Sequence, residues 1–335
     1  MNRLLIFAST LLVLAVFQSC KEARPEEVIS PLPAYCLEEG SEYLIPLVDS
    51  CRTQPFPRMG NIWTPPNEER YLYGQPLVNP LDPNMIIYTR SQSDTLGTAK
   101  FPQVWTMNLC TGEKNLLATE LVSEVSISHD GWLTYRTYDG NWKIKPNGDS
   151  LTQLATPMID FDWHPSGQQM IGKTLEDRWA LLDDDGQLVQ MLDSIQGHRN
   201  PRWSPDGEHI SFNGFTNFGS FVYLYNVSNQ QINQIPVSLK FGYSFWVDND
   251  HLLVPHQSGD LVKLNIHTQQ IVEVIKPACV NKDYAASSLS QDGQFLLCGY
   301  SINEESTPGS SLLNRYTKLV VMNLDGSNER EIVVE

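Results

Sequence analysis

One pattern recurs along most of this chain: an alternating apolar run, a tight turn rich in Ser, Asp, Asn or Gly, and a second apolar run. The copies read LVNPLDPNMIIY from Leu77, VSISHDGWLTYR from Val125, FDWHPSGQQMIG from Phe161, PRWSPDGEHISF from Pro201, SFWVDNDHLLVP from Ser244 and SSLSQDGQFLLC from Ser287. From the second copy onward, the turns are 36, 40, 43 and 43 residues apart. A repeat of about 40 residues is typical of propeller blades.

A second hairpin follows each of these turns. Its copies read VWTMNLCTGEKNLLA, NWKIKPNGDSLTQLA, RWALLDDDGQLVQML, FVYLYNVSNQQINQI, LVKLNIHTQQIVEVI and KLVVMNLDGSNEREIVV. β-Branched and aromatic residues flank a polar turn, which is typical of β-hairpins. Each repeat unit is therefore expected to hold four strands.

A single four-stranded sheet cannot bury both of its apolar faces, so the units must stack on one another around a ring. The turn glycines Gly131, Gly167 and Gly207 fit this interpretation, because a sharp return between strands requires a conformation that most side chains resist. The sequence predicts an all-β fold: a β-propeller of about six four-stranded blades, preceded by a short irregular N-terminal segment.

These turns and hairpins resemble the repeats of TolB-like (WD-like) propellers. The resemblance covers roughly residues 75–335 and implies a binding or scaffolding module of the cell envelope. The turns at 81–84 and 248–250 depart from the pattern, so blades 1 and 5 are the least regular copies. The expected organisation is a signal peptide (1–19), a lipid-anchored tether (20–35), an irregular cap (36–74) that includes a strand within 42–48, and the propeller (75–335).

The N-terminus has the pattern of an export signal: Arg3, an apolar run from Leu4 to Phe17, and the small residue Ser19. Residues 17–20, Phe-Gln-Ser-Cys, resemble the lipobox of bacterial lipoproteins, which implies that Cys20 is acylated, with palmitate among the attached lipids. The alternative is an ordinary signal peptide followed by a chance cysteine. Because Lys21 is not the Asp that retains lipoproteins in the inner membrane, the resemblance implies the outer membrane of a Gram-negative cell, facing the periplasm or the cell surface.

The negative charge of the chain limits the classes of molecule that it is expected to bind. It has 39 acidic and 23 basic residues, a formal net charge of −16. Nucleic acid is disfavoured because phosphate binding needs a basic patch, and the sequence contains no Lys/Arg cluster. The expected partners are the membrane, through the lipid on Cys20, and an envelope protein or glycan.

Five cysteines follow Cys20, an odd number, so at least one thiol is expected to be free. Cys36 and Cys51 flank a short segment, and a disulfide between them is predicted; the alternative is two free or buried thiols. No C-x-x-C spacing suggests zinc or thiol redox chemistry.

No motif in the sequence indicates catalysis, a cofactor or a metal, and the chain lacks the G-x-S-x-G, H-E-x-x-H, P-loop and G-x-G-x-x-G patterns. The segment Asp183 to Gly186 is interpreted as an acidic hairpin turn rather than a calcium loop. A tryptophan at the same position of three repeats is interpreted as packing between blades rather than as a sugar-stacking platform; these residues are Trp163, Trp203 and Trp246. The histidines lie singly along the chain, including His129, His164, His251, His256 and His267.

The favoured function is a non-enzymatic scaffold that binds a protein or ligand through its loops, with no catalytic residue, cofactor or metal. The expected contact loops are 91–100, 213–220 and 303–314, with Phe215, Asn217, Phe218, Asn303 and Asn314 as contact residues. One alternative is a polysaccharide lyase or hydrolase with its site in the propeller channel, marked by three histidines or paired carboxylates. A third hypothesis is that the protein is a sensor that acts through a partner protein.

Replacing Cys20 with Ser is expected to release a folded, soluble propeller, because the anchor and the repeats occupy separate parts of the sequence. Cell fractionation and a melting curve test this: the variant should leave the membrane fraction and melt at the temperature of the wild-type domain. Membrane retention of the variant contradicts the lipoprotein interpretation.

Overall fold

The structure, a computed structural model, describes residues 36–52, 54, 62–64, 70–93, 101–121, 125–216, 219–240, 243–290, 292–307 and 312–334. The predicted signal peptide, Cys20 and the tether lie outside these residues. Tyr35–Glu335 belong to one compact unit, which begins with the helix α1 (Cys36–Glu39) and the strands β1 (Leu44–Pro46) and β2 (Ile62–Thr64). Across the described ranges, no helix is long and apolar enough to cross a bilayer.

The strands that follow form six consecutive groups of four. Blade 1 holds β3 (Arg70–Asn79), β4 (Asp82–Ser93), β5 (Gln103–Asn108) and β6 (Lys114–Ala118). Blade 2 holds β7 (Ser126–Ile127), β8 (Leu133–Thr137), β9 (Gly140–Ile144) and β10 (Thr152–Gln153). Blade 3 holds β11 (Met158–Trp163), β12 (Gln169–Thr174), β13 (Trp179–Asp183) and β14 (Leu188–Met191).

The second half of the ring repeats this arrangement. Blade 4 holds β15 (His198–Trp203), β16 (His209–Thr216), β17 (Gly219–Asn226) and β18 (Gln231–Leu239). Blade 5 holds β19 (Phe245–Trp246), β20 (His251–Pro255), β21 (Leu261–Asn265) and β22 (Gln270–Lys276). Blade 6 holds β23 (Lys282–Leu289), β24 (Phe295–Glu305), β25 (Leu312–Asn323) and β26 (Arg330–Ile332). The predicted six-bladed, all-β propeller is confirmed.

Neighbouring strands in every blade are antiparallel, so each end of a sheet carries its own set of turns. The turns between the first and second strands, and between the third and fourth, lie on one side of the ring, which we call face A. The turns between the second and third strands lie on the other side, together with the connections between blades. We call this side face B.

The Ser-Pro-Asp-Gly turn of blade 4 shows why the repeat has this composition. The Ser204 hydroxyl donates to Asp206 Oδ1 at 2.6 Å, and the Gly207 N–H donates to the Ser204 carbonyl oxygen at 2.9 Å. Gly207 has a φ of 74°, a left-handed conformation that favours glycine. The same serine-to-aspartate bond recurs in blades 2 and 6, at Ser128 and Ser290.

The two turns that depart from the repeat pattern use side-chain caps instead of a left-handed glycine. In blade 1, the N–H of Leu81 donates to Asn79 Oδ1 at 3.0 Å. In blade 5, the N–H of Asp250 donates to Asp248 Oδ1 at 2.9 Å, and no residue of that turn has a positive φ. Both blades therefore close their first hairpin without the glycine.

The repeated tryptophans pack between blades. Trp163, Trp203 and Trp246 end the first strands of blades 3, 4 and 5 and are at most 6% exposed. The indole N–H of Trp163 donates to Thr134 Oγ1 of blade 2 at 3.0 Å, and that of Trp246 donates to the Arg202 carbonyl oxygen of blade 4 at 2.9 Å. The packing interpretation is confirmed, and these rings do not form an exposed stacking platform.

Blade 6 takes all four of its strands from the C-terminal part of the chain, and β1 adds to β26 as an outer, fifth strand. Buried side chains from blades 6 and 1 fill the seam between them, including Leu297 and Leu319 on one side and Val78 and Ile86 on the other. The Val78 N–H also donates to Ser288 Oγ at 3.1 Å. Side-chain packing closes the ring here.

The segment 36–52, which we call the strap, is fixed at both ends by disulfides, but not by the one predicted. Cys36 pairs with Cys110 of blade 1, and Cys51 pairs with Cys279 in the connection between blades 5 and 6. The predicted Cys36–Cys51 bridge is wrong because β1 lies between these cysteines and, paired along the outer edge of blade 6, carries them to different blades. Cys298 is the free thiol; it is buried, and burial raises its pKa.

The far end of the strap is also held by polar contacts with blade 6. The Arg52 N–H donates to Asn281 Oδ1 at 2.8 Å, and its guanidinium lies 2.9 Å from Glu305 Oε1. Lys282 Nζ donates to the Asp49 carbonyl oxygen at 2.6 Å. The strap thus covers the outer edge of blade 6 and ties it to both neighbouring blades.

Replacing either disulfide pair with serines should lower the free energy of unfolding by roughly 2–5 kcal/mol, because each bond closes a long loop of the unfolded chain. The double variants Cys36→Ser/Cys110→Ser and Cys51→Ser/Cys279→Ser can be compared with the wild type by urea denaturation, with reduced wild type as the control. Urea midpoints equal to that of the oxidised wild type contradict this account.

Candidate functional site

Face B carries exposed apolar side chains at equivalent places in four consecutive blades. Phe101, Tyr138, Leu175 and Phe215 lie at or beside the turn between the second and third strands of blades 1 to 4, and each is 52–69% exposed. The rings of Phe101 and Tyr138 meet edge to face, with centroids 5.3 Å apart. Single exposed apolar residues are common, but their recurrence at one turn position is not explained by core packing. We call these four residues the apolar rim.

The predicted contact residues occupy different environments. Phe215 belongs to the apolar rim, whereas Asn217 and Phe218 lie outside the described residues. Asn303 is 6% exposed and lies within β24, and Asn314 is half-buried within β25. Asn303 and Asn314 are therefore strand residues rather than loop residues.

The insertions predicted as irregular are mostly extended hairpins. In blade 4, β16 and β17 remain paired as far as Thr216 and Gly219; in blade 6, β24 and β25 remain paired as far as Glu305 and Leu313. In blade 1, β4 continues to Ser93. The pairing continues because these segments keep the alternation of a strand. The tips at 94–100, 217–218 and 308–311 lie outside the described residues.

A cleft of about 590 Å³ opens on face B where blades 5, 6 and 1 meet. Its volume lies within the range of roughly 300–1,000 Å³ that is typical of small-molecule sites. Four tyrosines from separate segments contribute to its lining: Tyr73 of β3, Tyr243 of the connection between blades 4 and 5, Tyr284 of β23 and Tyr300 of β24. The site is assembled from parts of the chain that are far apart in sequence.

The charged groups of the cleft have partners within the protein. Lys240 Nζ lies 2.7 Å from Asp283 Oδ1. Asp260 Oδ1 accepts the Ala278 N–H at 2.6 Å, and a hydrogen bond from the Ser258 hydroxyl lowers the pKa of Asp260. A general acid for glycoside hydrolysis needs a raised pKa, so Asp260 is shifted in the opposite direction.

Polar contacts beside the cleft residue Tyr284 join blades 5 and 6, and blade 6 also contacts the strap. The Tyr284 hydroxyl donates to Glu329, which also lies 3.1 Å from Lys276 Nζ of blade 5. Lys318 Nζ is 3.1 Å from Asp49 of the strap. Burial, and then the neighbouring Glu329, raise the pKa of Tyr284, so its phenol remains protonated and donates to Glu329.

The innermost strands carry a second polar group, Asp162, at the inner side of blade 3. Its carboxylate accepts the Ser126 hydroxyl of blade 2 at 2.8 Å and the Trp203 N–H of blade 4 at 2.9 Å. Burial raises its pKa, although Arg202 at 3.9 Å acts in the opposite sense. Because both oxygens link neighbouring blades, Asp162 has a structural role.

The acidic segment 183–186 forms the hairpin turn predicted for it: the N–H groups of Asp185 and Gln187 both donate to Asp183 Oδ1, at 3.1 and 2.7 Å. His251 contacts Asp248, and His267 contacts Asp250, on face A. In the part of the chain that the structure describes, no three His, Cys, Asp or Glu side chains are grouped as metal ligands.

Comparison with known proteins gives a likeness in structure alone. No family model and no curated protein sequence matches the chain. The solved structure of TolB from Acinetobacter baumannii aligns with a TM-score of 0.51 and 15% identity, over 78% of this chain and 63% of that one. The structure of putative TolB from Agrobacterium tumefaciens gives a TM-score of 0.49 and 13% identity, over 66% and 84%.

Other solved structures give similar values. Acylaminoacyl peptidase from Pyrococcus horikoshii aligns with a TM-score of 0.48 and 12% identity, over 79% of this chain and 46% of that one. The fold of this protein is thus a TolB-like propeller, and this chain matches less than two thirds of the length of the Acinetobacter TolB. At these identities the comparison establishes the fold alone.

The cleft has no signature in the sequence. Lys240, Tyr243, Asp283 and Arg315 have no shared motif and no regular spacing, and they converge only when blades 5 and 6 stack. The apolar rim had a weak sequence signal, since Phe101, Tyr138, Leu175 and Phe215 each stand near the turn after the second strand of a repeat.

His198, at the face B end of β15, is expected to make the stability of the protein depend on pH. Its ring stacks on Tyr223 at a centroid distance of 4.2 Å, and burial, followed by the charge of Lys173, lowers its pKa. In the unfolded chain, the His198 imidazole binds a proton near pH 6.5, whereas in the folded state it stays neutral to a lower pH. Stability from neutral His198 is therefore present above about pH 6.5 and lost as the pH falls toward the folded-state pKa.

Between pH 7 and pH 5, the wild type should lose stability relative to His198→Phe, which keeps an aromatic ring and cannot titrate. Urea midpoints measured for both proteins across this range test the prediction. Parallel curves would show that His198 is not held neutral by burial.

Proposed function

We propose that this protein is a lipoprotein of the Gram-negative outer membrane, anchored by a lipid on Cys20, that acts as a non-enzymatic binding scaffold. Face B is the binding surface, with the apolar rim and the cleft as its contact regions. The partner is an envelope component, a protein or a glycan.

The observation that carries this proposal is the recurrence of the apolar rim. The turns of face B bear a large exposed apolar residue in blades 1 to 4, where each costs solubility and contributes nothing to the core. Buried aromatic anchors dominate the energy of most interfaces. A propeller holds such residues on a rigid frame, so little conformational freedom is lost when a partner covers them.

Face A has a different composition, which favours face B as the contact side. Its described turns carry carboxylates in all six blades but a single lysine, Lys145. The carboxylates in these turns are Glu113, Asp130, Asp149, Asp184, Asp185, Asp206, Glu208, Asp248, Asp250, Asp292, Asp325 and Glu329. Such a surface repels acidic partners and keeps the protein soluble. Face B combines apolar contacts with ion pairs such as Lys240–Asp283.

The sequence supports the proposed lipid anchor, because an apolar export segment ends at the lipobox-like residues 17–20.

The chemistry of the cleft supports binding over the alternative of a polysaccharide-active enzyme. Asp260 and Asp283 are both engaged, and the lowered pKa of Asp260 does not suit a general acid.

Photo-crosslinking in the native envelope tests this function. A photoreactive amino acid is placed at Phe101, Tyr138, Leu175 or Phe215, and, as a matched control, at Leu81 and Leu151, which are 64% and 54% exposed on face A. The four rim positions should crosslink to a common partner band, and the two control positions should not. Serine at all four rim positions should abolish partner capture and leave the melting temperature nearly unchanged.

Equal crosslinking from both faces, or capture that persists in the quadruple serine variant, would show that face B is not the binding surface. Degradation of an envelope polysaccharide by the purified protein alone would replace the scaffold with the enzyme.

A further inference from the structure

The cleft is lined by equal numbers of positive and negative side chains, although the chain as a whole has a formal net charge of −16. Its cations are Lys240 and Arg315, and its anions are Asp260 and Asp283. An anionic ligand would require unmatched cations, but Lys240 is already paired with Asp283 at 2.7 Å. A cationic ligand would require unmatched carboxylates, but Asp283 is paired with Lys240, and Asp260 already accepts hydrogen bonds from the Ser258 hydroxyl and the Ala278 N–H. The charge balance favours a neutral ligand.

The polar groups of the cleft disfavour an apolar ligand. Arg315 Nη2 donates to Ser301 Oγ at 3.0 Å, and the guanidinium group carries five N–H donors. Arg315 is exposed, and the side chains of the Lys240–Asp283 pair are 38% and 41% exposed. Covering these charged groups with hydrocarbon would strip them of water, which is costly. The ligand must therefore both donate and accept hydrogen bonds.

The cleft also offers flat apolar surface. Tyr73, Tyr243 and Tyr284 line it and are each partly exposed, and the small residues Gly74 and Gly299 lie among them. An aromatic ring packs well against a flat surface of C–H groups, and its hydroxyl provides a polar edge. A pyranose ring has this combination: a C–H face and a rim of hydroxyls that donate and accept.

We infer that the cleft binds a short neutral oligosaccharide, whose sugar rings pack on the tyrosines while Arg315, Lys240 and Asp260 hydrogen-bond its hydroxyls. This inference rests on the proposed binding function of face B and names the ligand class of its cleft.

Isothermal titration calorimetry of the mature chain with Cys20→Ser tests the inference. The neutral probes are cellotetraose, xylotetraose, mannotetraose, maltotetraose and tetra-N-acetylchitotetraose; the anionic comparators are tetragalacturonate and inorganic phosphate. We expect saturable binding of at least one neutral probe, and we expect Tyr243→Ala and Arg315→Met each to weaken it about tenfold. Leu151→Ala, which is exposed on face A and lies outside both the cleft and the apolar rim, is the control and should bind as the wild type does.

The variants are first compared with the wild type by melting temperature; if Tyr243→Ala melts early, Arg315→Met decides the outcome. Saturable binding of no neutral probe, or binding of only the anionic probes, overturns the inference, as does neutral-probe binding that both cleft variants leave unchanged. These results are separable from the function of face B, because crosslinking at the apolar rim is measured independently.

Discussion

The whole structure depends on one constraint: each blade is a sheet with two apolar faces, and every face needs a neighbour. Between consecutive blades, chain connectivity brings the faces together. Between blades 6 and 1 the faces meet through buried side chains such as Leu297, Leu319, Val78 and Ile86, together with the hydrogen bond from the Val78 N–H to Ser288 Oγ. The strap reinforces this region, since it runs along the outer edge of blade 6 and is disulfide-bonded to blade 1 at one end and to the connection after blade 5 at the other.

The cleft lies among the same blades that the strap ties together. Tyr73 comes from blade 1, and Tyr284 and Tyr300 come from blade 6; the strap residue Asp49 contacts Lys318 of blade 6. Ring closure and the geometry of the cleft are therefore coupled: movement of blade 6 relative to its neighbours would change the spacing of the cleft walls. Disulfides suit this task, because they limit such movement without occupying the cleft.

The two faces of the ring use their turns differently. On face A, residues such as Asp206 and Asp183 hold tight turns with their carboxylates, so their identity is set by local backbone geometry. On face B, the turns of blades 1 to 4 carry Phe101, Tyr138, Leu175 and Phe215, which no turn geometry requires. Side chains that folding does not explain are the natural candidates for recognition.

The sequence by itself determined the blade number, the four strands per blade and the packing role of Trp163, Trp203 and Trp246, because period-2 alternation and turn chemistry are local properties. It did not determine the disulfide pairing, since Cys36 and Cys51 are close in sequence yet lie beside different blades. It also gave no sign of the cleft, whose residues have no common spacing. Tertiary structure decided both, because ring closure brings together segments whose order along the chain carries no information about their distance in space.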